Sequence, residues 1–338
     1  MRTIIVLSLF IVPVIASAQS QRGAAMARTL WGDPDLQGVW DYGTITPMER
    51  PDRFAGKEVL TSEEVAALEA EAVRNFATAY RKPPEGSVGG YNLFWRDYRS
   101  NVVASRRTSL IVDPRDGKLP PLTQQGQKQL GSVSKDLPAQ RPIRYRSGGA
   151  GTDGPEDRGL SERCILGNNA GPPLLPDVYN NLIQLLQTAD HVVILNEMIH
   201  DVRIVPLDGR PHLPRSIRQW MGDSRGRWDG DTLIVETTNF TDKTGYLSNI
   251  HDAYGTGETL HLTERFRRVD EGTLFYEYTV NDPATFTRPF TVELSMRKSR
   301  GHIYEYACHE GNYGLYNQLN GARVQEKAVE EVAKRGAR

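Results

Sequence analysis

The last third of the chain, from about residue 180 to residue 312, alternates short β-prone runs with tight glycine turns. Asp208-Gly209, Asp229-Gly230 and Glu271-Gly272 punctuate these runs, and X-Gly turns between such runs are strong hairpin signals. Repeated hairpins build an antiparallel meander, and about eight strands favour closure into a barrel because closure removes exposed sheet edges. We therefore predict a mainly β fold, either an antiparallel meander barrel or a strongly curved sheet.

Three hairpins are predicted within this region. They pair 181–187 with 192–198, 260–269 with 273–280, and 290–296 with 303–308. Each pair of runs is rich in β-branched and aromatic residues and is separated by a short polar or glycine turn.

The remaining segments are predicted from local signals. Residues 19–60 are rich in Gly, Pro and Asp, which indicates an extended arm lying across the surface. A capping box at Thr61 and Glu64 begins a helix over 62–80, and a charged helix is predicted over 322–335. The predicted organisation is a signal peptide (1–18), an N-terminal arm and helix (19–107), a loop-rich segment (108–179), a β-barrel-like core (180–312) and a C-terminal helical tail (313–338).

The first 18 residues have the pattern of an export signal. Arg2 precedes an apolar run from Ile4 to Ile15, and Ala16-Ser17-Ala18 is an A-x-A cleavage site. We therefore expect a periplasmic or extracellular protein with no integral membrane segment after cleavage. The 41 basic and 42 acidic side chains nearly balance, and because no basic stripe is present we expect no nucleic-acid partner.

The chain has two cysteines, Cys164 and Cys308. Export would place them in an oxidising compartment, where a pair of cysteines tends to form a disulfide. The alternative is two free thiols, one of them beside His309.

Three sequence blocks carry a family resemblance: WGDPDLQGVW at 31–40, GDSRGRWDGDTLIVETTNFTD at 222–242 and YEYACHEGNY at 304–313. Together with the segments 200–203 and 211–214, they resemble a large family of uncharacterised secreted bacterial proteins. The resemblance spans nearly all of the chain that follows the signal. It implies export and a single folded unit, and it carries no established reaction, cofactor or catalytic residue.

Several carboxylates fall on the apolar faces of predicted strands. Glu264 shares a face with Leu262 and Phe266, and Glu236 shares one with Ile234. A carboxylate on such a face is either paired or has a raised pKa, because an isolated buried charge is costly. One interpretation is a set of structural Arg–Glu pairs or an exposed outer face, and the other is a barrel interior lined by Glu236, Glu264 and His200.

The second interpretation supports two hypotheses about function. The first is a binding protein that holds a small, partly polar organic ligand in an internal polar-lined cavity, covered by the glycine-rich loop near 148–155. Its candidate ligand-binding residues are Arg203, Arg218, Arg225 and Trp228. The second is a hydrolase or lyase that uses a His/Glu acid–base pair, with candidate catalytic residues His200, Glu236, Glu264 and His309.

A metal, an organic cofactor and a purely structural role are also considered for this chain. A metal that assisted the enzyme would need ligands gathered from separate strands, for example His200, His309 and Glu236, and no metal site is predicted. No organic cofactor is expected, since the sequence has no dinucleotide fingerprint, phosphate loop or haem attachment motif. A structural or envelope-associated protein without a small-molecule site is the third interpretation.

Two motifs receive structural interpretations. The segment 222–226 matches the G-x-S-x-G pattern of serine hydrolases, but a β-run follows where that chemistry needs a helix. His212 lies between two prolines, and a packing or turn role is expected for it.

Overall fold

The computed structural model describes residues 27–79, 97, 99–127, 152–160, 162–167, 169–177, 179–241 and 259–336. The predicted signal peptide lies outside the described residues. The strands are β1 (Gly38–Asp41), β2 (Ile111–Asp113), β3 (Leu182–Gln187), β4 (His191–Asn196), β5 (Val202–Pro206), β6 (Asp223–Asp229), β7 (Thr232–Thr238), β8 (His261–Arg268), β9 (Thr273–Asn281) and β10 (Phe290–Lys298).

Nine of these strands form a nearly closed antiparallel barrel. Their order is β5-β4-β3-β1-β10-β9-β8-β7-β6, and β2 pairs with one end of β10. The predicted fold class, a mainly β meander barrel with an N-terminal helix and a C-terminal helix, is confirmed.

The barrel interior follows from strand alternation. In β8 and β9 every second residue is buried, and the side chains between them are more exposed. The inward side chains of both strands are mostly large and apolar, including Phe266, Tyr276 and Tyr278. Because successive strand residues point to opposite faces, this pattern fixes which side of the sheet is the core.

Two of the three predicted hairpins are confirmed. β3 pairs with β4, and β8 pairs with β9. The third is wrong, because β10 pairs with β9 on one edge and with β1 and β2 on the other. Both edges of β10 are therefore occupied, and residues 303–306 run past it without forming a strand.

The N-terminal segment is part of the barrel and not only a surface arm. β1 lies between β3 and β10 and pairs with both. Trp40 and Leu36 are fully buried, and the Trp40 indole N–H donates to the Leu36 carbonyl at 2.9 Å. The predicted arm missed this strand because β1 supplies only four residues, and its partners lie more than 140 residues further along the chain.

The two ends of the barrel differ. The β3–β4, β6–β7 and β8–β9 turns lie at one end, here called the turn end. The longer connections between strands leave from the opposite end, here called the loop end, except that residues 207–222 return from the turn end to the start of β6. The longer connections, which can carry side chains for a site, are therefore concentrated at the loop end.

Among the described residues, two α-helices lie outside the barrel wall: α1 (Ser62–Ala79) and α2 (Tyr313–Gly336). The predicted capping box is present, since the Glu64 carboxylate accepts from the Thr61 backbone N–H at 2.8 Å and the Thr61 hydroxyl accepts from the Glu64 N–H at 3.3 Å. Helix α2 begins at Tyr313, earlier than the predicted 322. Neither helix, within the described ranges, has the length and hydropathy of a bilayer-spanning segment.

Of the predicted covering loop, residues 152–155 are described and the rest lies outside the described residues. The Arg323 guanidinium of α2 donates to the carbonyl groups of Thr152 and Asp153, at 2.7 and 3.2 Å. These contacts connect the end of the loop to the C-terminal helix.

Candidate functional site

Glu264 and Arg203 form an ion pair inside the barrel. Glu264 is fully buried and Arg203 is 4% exposed. The two guanidinium amino groups donate to the two carboxylate oxygens at 2.6 and 2.9 Å, and the Tyr276 hydroxyl donates to the same carboxylate at 2.7 Å. Burial raises the pKa of Tyr276 well above its usual value, which keeps its hydroxyl a donor. Because both carboxylate oxygens are already bonded, this ion pair offers little to a ligand, and loss of either partner would leave the other charge buried without compensation.

Glu236 lies on the other side of the barrel wall. In the β7–β8 register Val235 is opposite Glu264, and Glu236 is opposite Thr263. Glu236 and Glu264 therefore point to opposite faces, so the structure does not bring them together in one interior space. Glu236 pairs with Arg227 at 2.9 Å, and its side chain is 36% exposed.

The other predicted ligand-binding residues lie on β6 and on the connection before it. The Arg225 guanidinium donates to Asp223 at 2.7 Å, and Arg218 donates to the Phe240 carbonyl at 3.2 Å. Trp228 is partly buried against the main core. No described contact joins these three side chains into one site, and their assignment to a ligand stays a prediction.

Asp223 is the centre of a polar cluster that the sequence did not indicate. Its carboxylate accepts from the Leu213 backbone N–H at 3.0 Å, and it lies 2.9 Å from the His212 ring nitrogen Nδ1. His212 had been given only a packing or turn role. Proximity between the 211–214 loop and the first residue of β6 depends on how residues 207–222 fold back, which no local pattern indicates.

Ser224, the serine of the G-x-S-x-G motif, is not placed as a nucleophile. It lies within β6 and is 7% exposed, and its hydroxyl is 2.9 Å from that of Thr237. A strand residue that is buried and hydrogen-bonded in this way lacks the exposed strand-to-helix turn that a nucleophilic serine needs.

The strongest candidate site lies at the loop end, where β4 passes into β5 through a short 3-10 helix, Met198–His200. Ile199 and His200 both have left-handed backbone conformations, with φ of 56° and 47°. Such a conformation is costly for a β-branched residue, and strained residues cluster at functional sites. The cost falls mainly on the buried Ile199, because histidine adopts this conformation more readily. The surrounding packing therefore holds a strained residue directly before the exposed His200.

Three carboxyl groups near this connection have raised pKa values. Burial raises the pKa of Asp201 from 3.8 to about 6. Burial also raises the pKa values of Glu197 and Asp41, and the negative charges of Asp41 and Asp97 add to the effect at Glu197. Carboxyl groups that titrate closer to neutral pH can donate a hydrogen bond or exchange a proton, and they are typical of functional sites.

A disulfide fixes the other side of this region. Cys164 and Cys308 are bonded, which confirms the predicted pair. The His200 ring nitrogen Nδ1 lies 3.3 Å from the Tyr306 carbonyl, and the side chains of Tyr306 and Cys308 pack against Met198 and Ile199. We call Glu197, the segment 199–201, Tyr306 and the disulfide the disulfide site.

His309 is exposed and directly follows the disulfide. Within the described part of the chain, neither His200 nor His309 makes a hydrogen bond or ion pair with a carboxylate at the distances of a preformed acid–base pair. Over the same residues, no group of three His, Cys, Asp or Glu side chains is arranged to hold a metal ion. Of the four predicted catalytic residues, His200 lies in the disulfide site and His309 beside it, whereas Glu236 and Glu264 belong to the barrel wall.

No protein-family model and no curated protein matches the chain. Among solved structures, it is similar to a point mutant of the fluorescent protein UnaG. The sequence identity is 13%, the match covers 42% of this chain and 86% of that chain, and the TM-score is 0.22. At this score the likeness has no bearing on function.

Proposed function

We propose that this protein is exported and binds a small, partly polar organic molecule at the disulfide site. The observation that supports the proposal is the exposed His200, which lies between the strained Ile199 and a partly buried Asp201 whose pKa is raised to about 6. A protein retains such strain where the surrounding structure needs a particular side-chain position.

The chemistry of the site suits a ligand with both polar and apolar parts. Asp201 in its neutral form donates a hydrogen bond, and the His200 imidazole provides a second polar group. Met198, Ile199 and Tyr306 form an apolar cluster beside them. Small-molecule sites commonly combine a few fixed polar groups with an apolar surface in this way.

Export is the second part of the proposal. It is supported by the signal-like sequence of residues 1–18 and by the disulfide, since disulfides persist in oxidising compartments. The expected location is the periplasm or the extracellular space.

A hydrolase or lyase is the second candidate, and it is favoured by the pKa of Asp201. A carboxyl group that titrates near pH 6 can act as a general acid or a general base close to neutral pH. In this version Asp201 and His200 take the roles that the sequence analysis gave to a His/Glu pair.

Native mass spectrometry of the exported, oxidised protein tests the binding proposal. We expect a retained small-molecule mass that H200Q reduces strongly. H191Q is the matched control, because His191 is a partly exposed histidine at the first position of β4, at the turn end. Retention that is equal in the wild type and both variants would place the molecule elsewhere, and no retained mass in the wild type would contradict the proposal.

Hydrolysis of p-nitrophenyl acetate tests the enzyme candidate. We expect a rate whose pH profile has an inflection near pH 6, and we expect D201N to remove that inflection because asparagine does not titrate. A wild-type profile that lacks the inflection, or a D201N profile that keeps it, would remove this candidate.

A further inference from the structure

A separate cavity of about 360 Å³ lies against the segment 50–58 and the turn that follows β2. Its walls combine apolar surface from Pro51 and Ala55 with the cationic residues Arg50, Arg115 and Lys118. It shares no residue with the disulfide site.

Arg50 is a buried cation without a counter-charge among the described residues. It is 3% exposed, and it donates from Nε to the Thr108 hydroxyl and from Nη1 to the Arg115 carbonyl, both at 2.9 Å. Both acceptors are neutral, and Nη2 is enclosed without a hydrogen-bond partner. Burying a guanidinium among neutral groups is unfavourable unless an anion compensates its charge.

Two of the three carboxylates around the cavity are in ion pairs, and the third, Asp116, accepts a backbone N–H and makes no ion pair within the part of the chain that the structure describes. Asp52 pairs with Lys118 at 3.1 Å, although its side chain is 98% exposed. Glu58 lies 3.8 Å from Arg107, and Asp116 accepts the Lys118 backbone N–H at 3.0 Å. Arg115 is exposed and makes no ion pair with a carboxylate in the described ranges. Among the described residues that line the cavity, the positive charges left without a partner are therefore those of Arg50 and Arg115.

The backbone holds these two arginines in a fixed relation. The Arg50 N–H donates to the Gly117 carbonyl at 2.7 Å. Gly117 has a φ of +70°, and a Cβ at this position would lie 2.4 Å from the Ser109 hydroxyl and 3.0 Å from the Arg50 Cβ. A larger residue at position 117 would push the turn away from Arg50. Glycine therefore allows this turn to pack directly against the Arg50 side chain.

We propose that this cavity binds a small organic molecule through a carboxylate or phosphate group. The anionic group lies by the Arg115 guanidinium and in the field of the buried Arg50, and the apolar part of the molecule lies against Pro51 and Ala55. Guanidinium groups favour these anions because their planar arrangement of N–H donors matches paired oxygens. The proposal is independent of the disulfide site.

Titration calorimetry with sodium benzoate and sodium phenyl phosphate tests it, with sodium chloride at matched ionic strength as the baseline. Benzoate presents a carboxylate and phenyl phosphate presents a phosphate, so the pair separates the two sources of the anion. We expect saturable binding of at least one of them, and about tenfold weaker binding by R115Q because a charge-assisted contact is lost.

R53Q is the matched control, because Arg53 is an exposed arginine in the same segment that stacks on Phe54 and does not line the cavity. We expect R53Q to bind like the wild type. R50K keeps the charge but cannot make both hydrogen bonds by which Arg50 holds Thr108 and the Arg115 carbonyl. If circular dichroism shows that R50K folds, it should bind more weakly because Arg115 is less well positioned.

Three results would overturn the proposal. One is the absence of saturation by either anion up to about 10 mM, well above the range expected for a specific site. Another is equal binding by R115Q and the wild type. The third is equally tight binding of neutral benzyl alcohol, which would show that the cavity does not recognise the charge.

Discussion

Asp201, which directly follows His200, shows at the scale of one residue how partial burial makes the stability of this barrel depend on pH. Its pKa is raised from 3.8 to about 6, so between pH 4 and pH 6 the folded state binds more protons than the unfolded state. The free energy of unfolding must therefore fall as the pH rises through this window. Asparagine mimics the neutral carboxyl, so we expect D201N to remove the slope and to be more stable at pH 7, by at most about 3 kcal/mol.

Urea unfolding of both proteins from pH 4 to pH 7.5 measures this effect. D208N provides the contrast, because Arg210 lowers the pKa of the exposed Asp208 to about 2, and removing that carboxylate should give no stabilisation at pH 7. A parallel pH dependence for D201N and the wild type would show that Asp201 is not the group responsible.

The second residue-scale prediction concerns the Arg203–Glu264 pair. E264Q leaves the guanidinium of Arg203 buried without its charged partner, and we expect a loss of about 3–5 kcal/mol in the free energy of unfolding. The double variant R203M/E264L removes both charges and should be less destabilised than E264Q.

E236Q is the control for the same experiment, because its ion pair with Arg227 is half exposed, and pairs of this kind contribute about 0–1 kcal/mol. Equal losses for E264Q and E236Q in urea unfolding would contradict the structural role of the buried pair.

At the scale of an element, the β6–β7 hairpin depends on the conformation of its turn. Asp229 pairs with Thr232, so the loop consists of Gly230 and Asp231. Gly230 has a φ of +56°, which an L-residue adopts only at a cost. We expect G230A to lower the free energy of unfolding by about 1 kcal/mol.

The β8–β9 turn supplies the matched control. Gly272 has no positive φ, and a Cβ there would meet only the Asp270 carboxylate at 3.7 Å. G272A should therefore leave thermal and urea unfolding nearly unchanged. A loss as large as that of G230A would mean that any glycine is needed at these turns, whatever its backbone conformation.

Elements and faces were predictable where the signal is local. The alternation around Glu264 placed a carboxylate on an apolar strand face, for which a structural Arg–Glu pair was one of the interpretations, and the capping box located the start of α1. The relation between Glu236 and Glu264 was not predictable, since it depends on which residues of β7 and β8 are opposite each other. The left-handed conformation of Ile199 was also not predictable, since no local pattern indicates it, and the residues that pack against Ile199 include Tyr306 and Cys308, about 100 residues further along the chain.

At the scale of the whole molecule, the disulfide joins the segment before β3 to the connection between β10 and α2. The two cysteines are 144 residues apart in sequence, so the crosslink strongly restricts the unfolded chain. We expect C164S/C308S to lose about 2–5 kcal/mol in the free energy of unfolding under oxidising conditions. Comparison with the wild type before and after reduction measures the loss, and equal stability of the oxidised wild type and the variant would contradict it.

The barrel fold was predictable from the sequence, but the full set of strands that form its wall was not. The sequence indicated a meander over 180–312, whereas the observed wall includes β1 from the N-terminal segment. Four residues carry too little periodicity to identify a strand, and β1 gains its stability from β3 and β10 on its two sides. The position of β1 in the wall is therefore determined by long-range pairing with β3 and β10, which the local sequence of β1 does not indicate.

The barrel wall also has one seam. β5 and β6 are the two ends of the strand order and run parallel, and a Cβ at Gly226 would lie within 3 Å of the Leu207 and Val205 side chains. Among the described residues, these two strands are in contact through their side chains and share no backbone hydrogen-bond ladder. A change in the circumference of the barrel at the β5–β6 boundary would therefore break no ladder hydrogen bond, so this boundary is where the wall can open at the lowest cost.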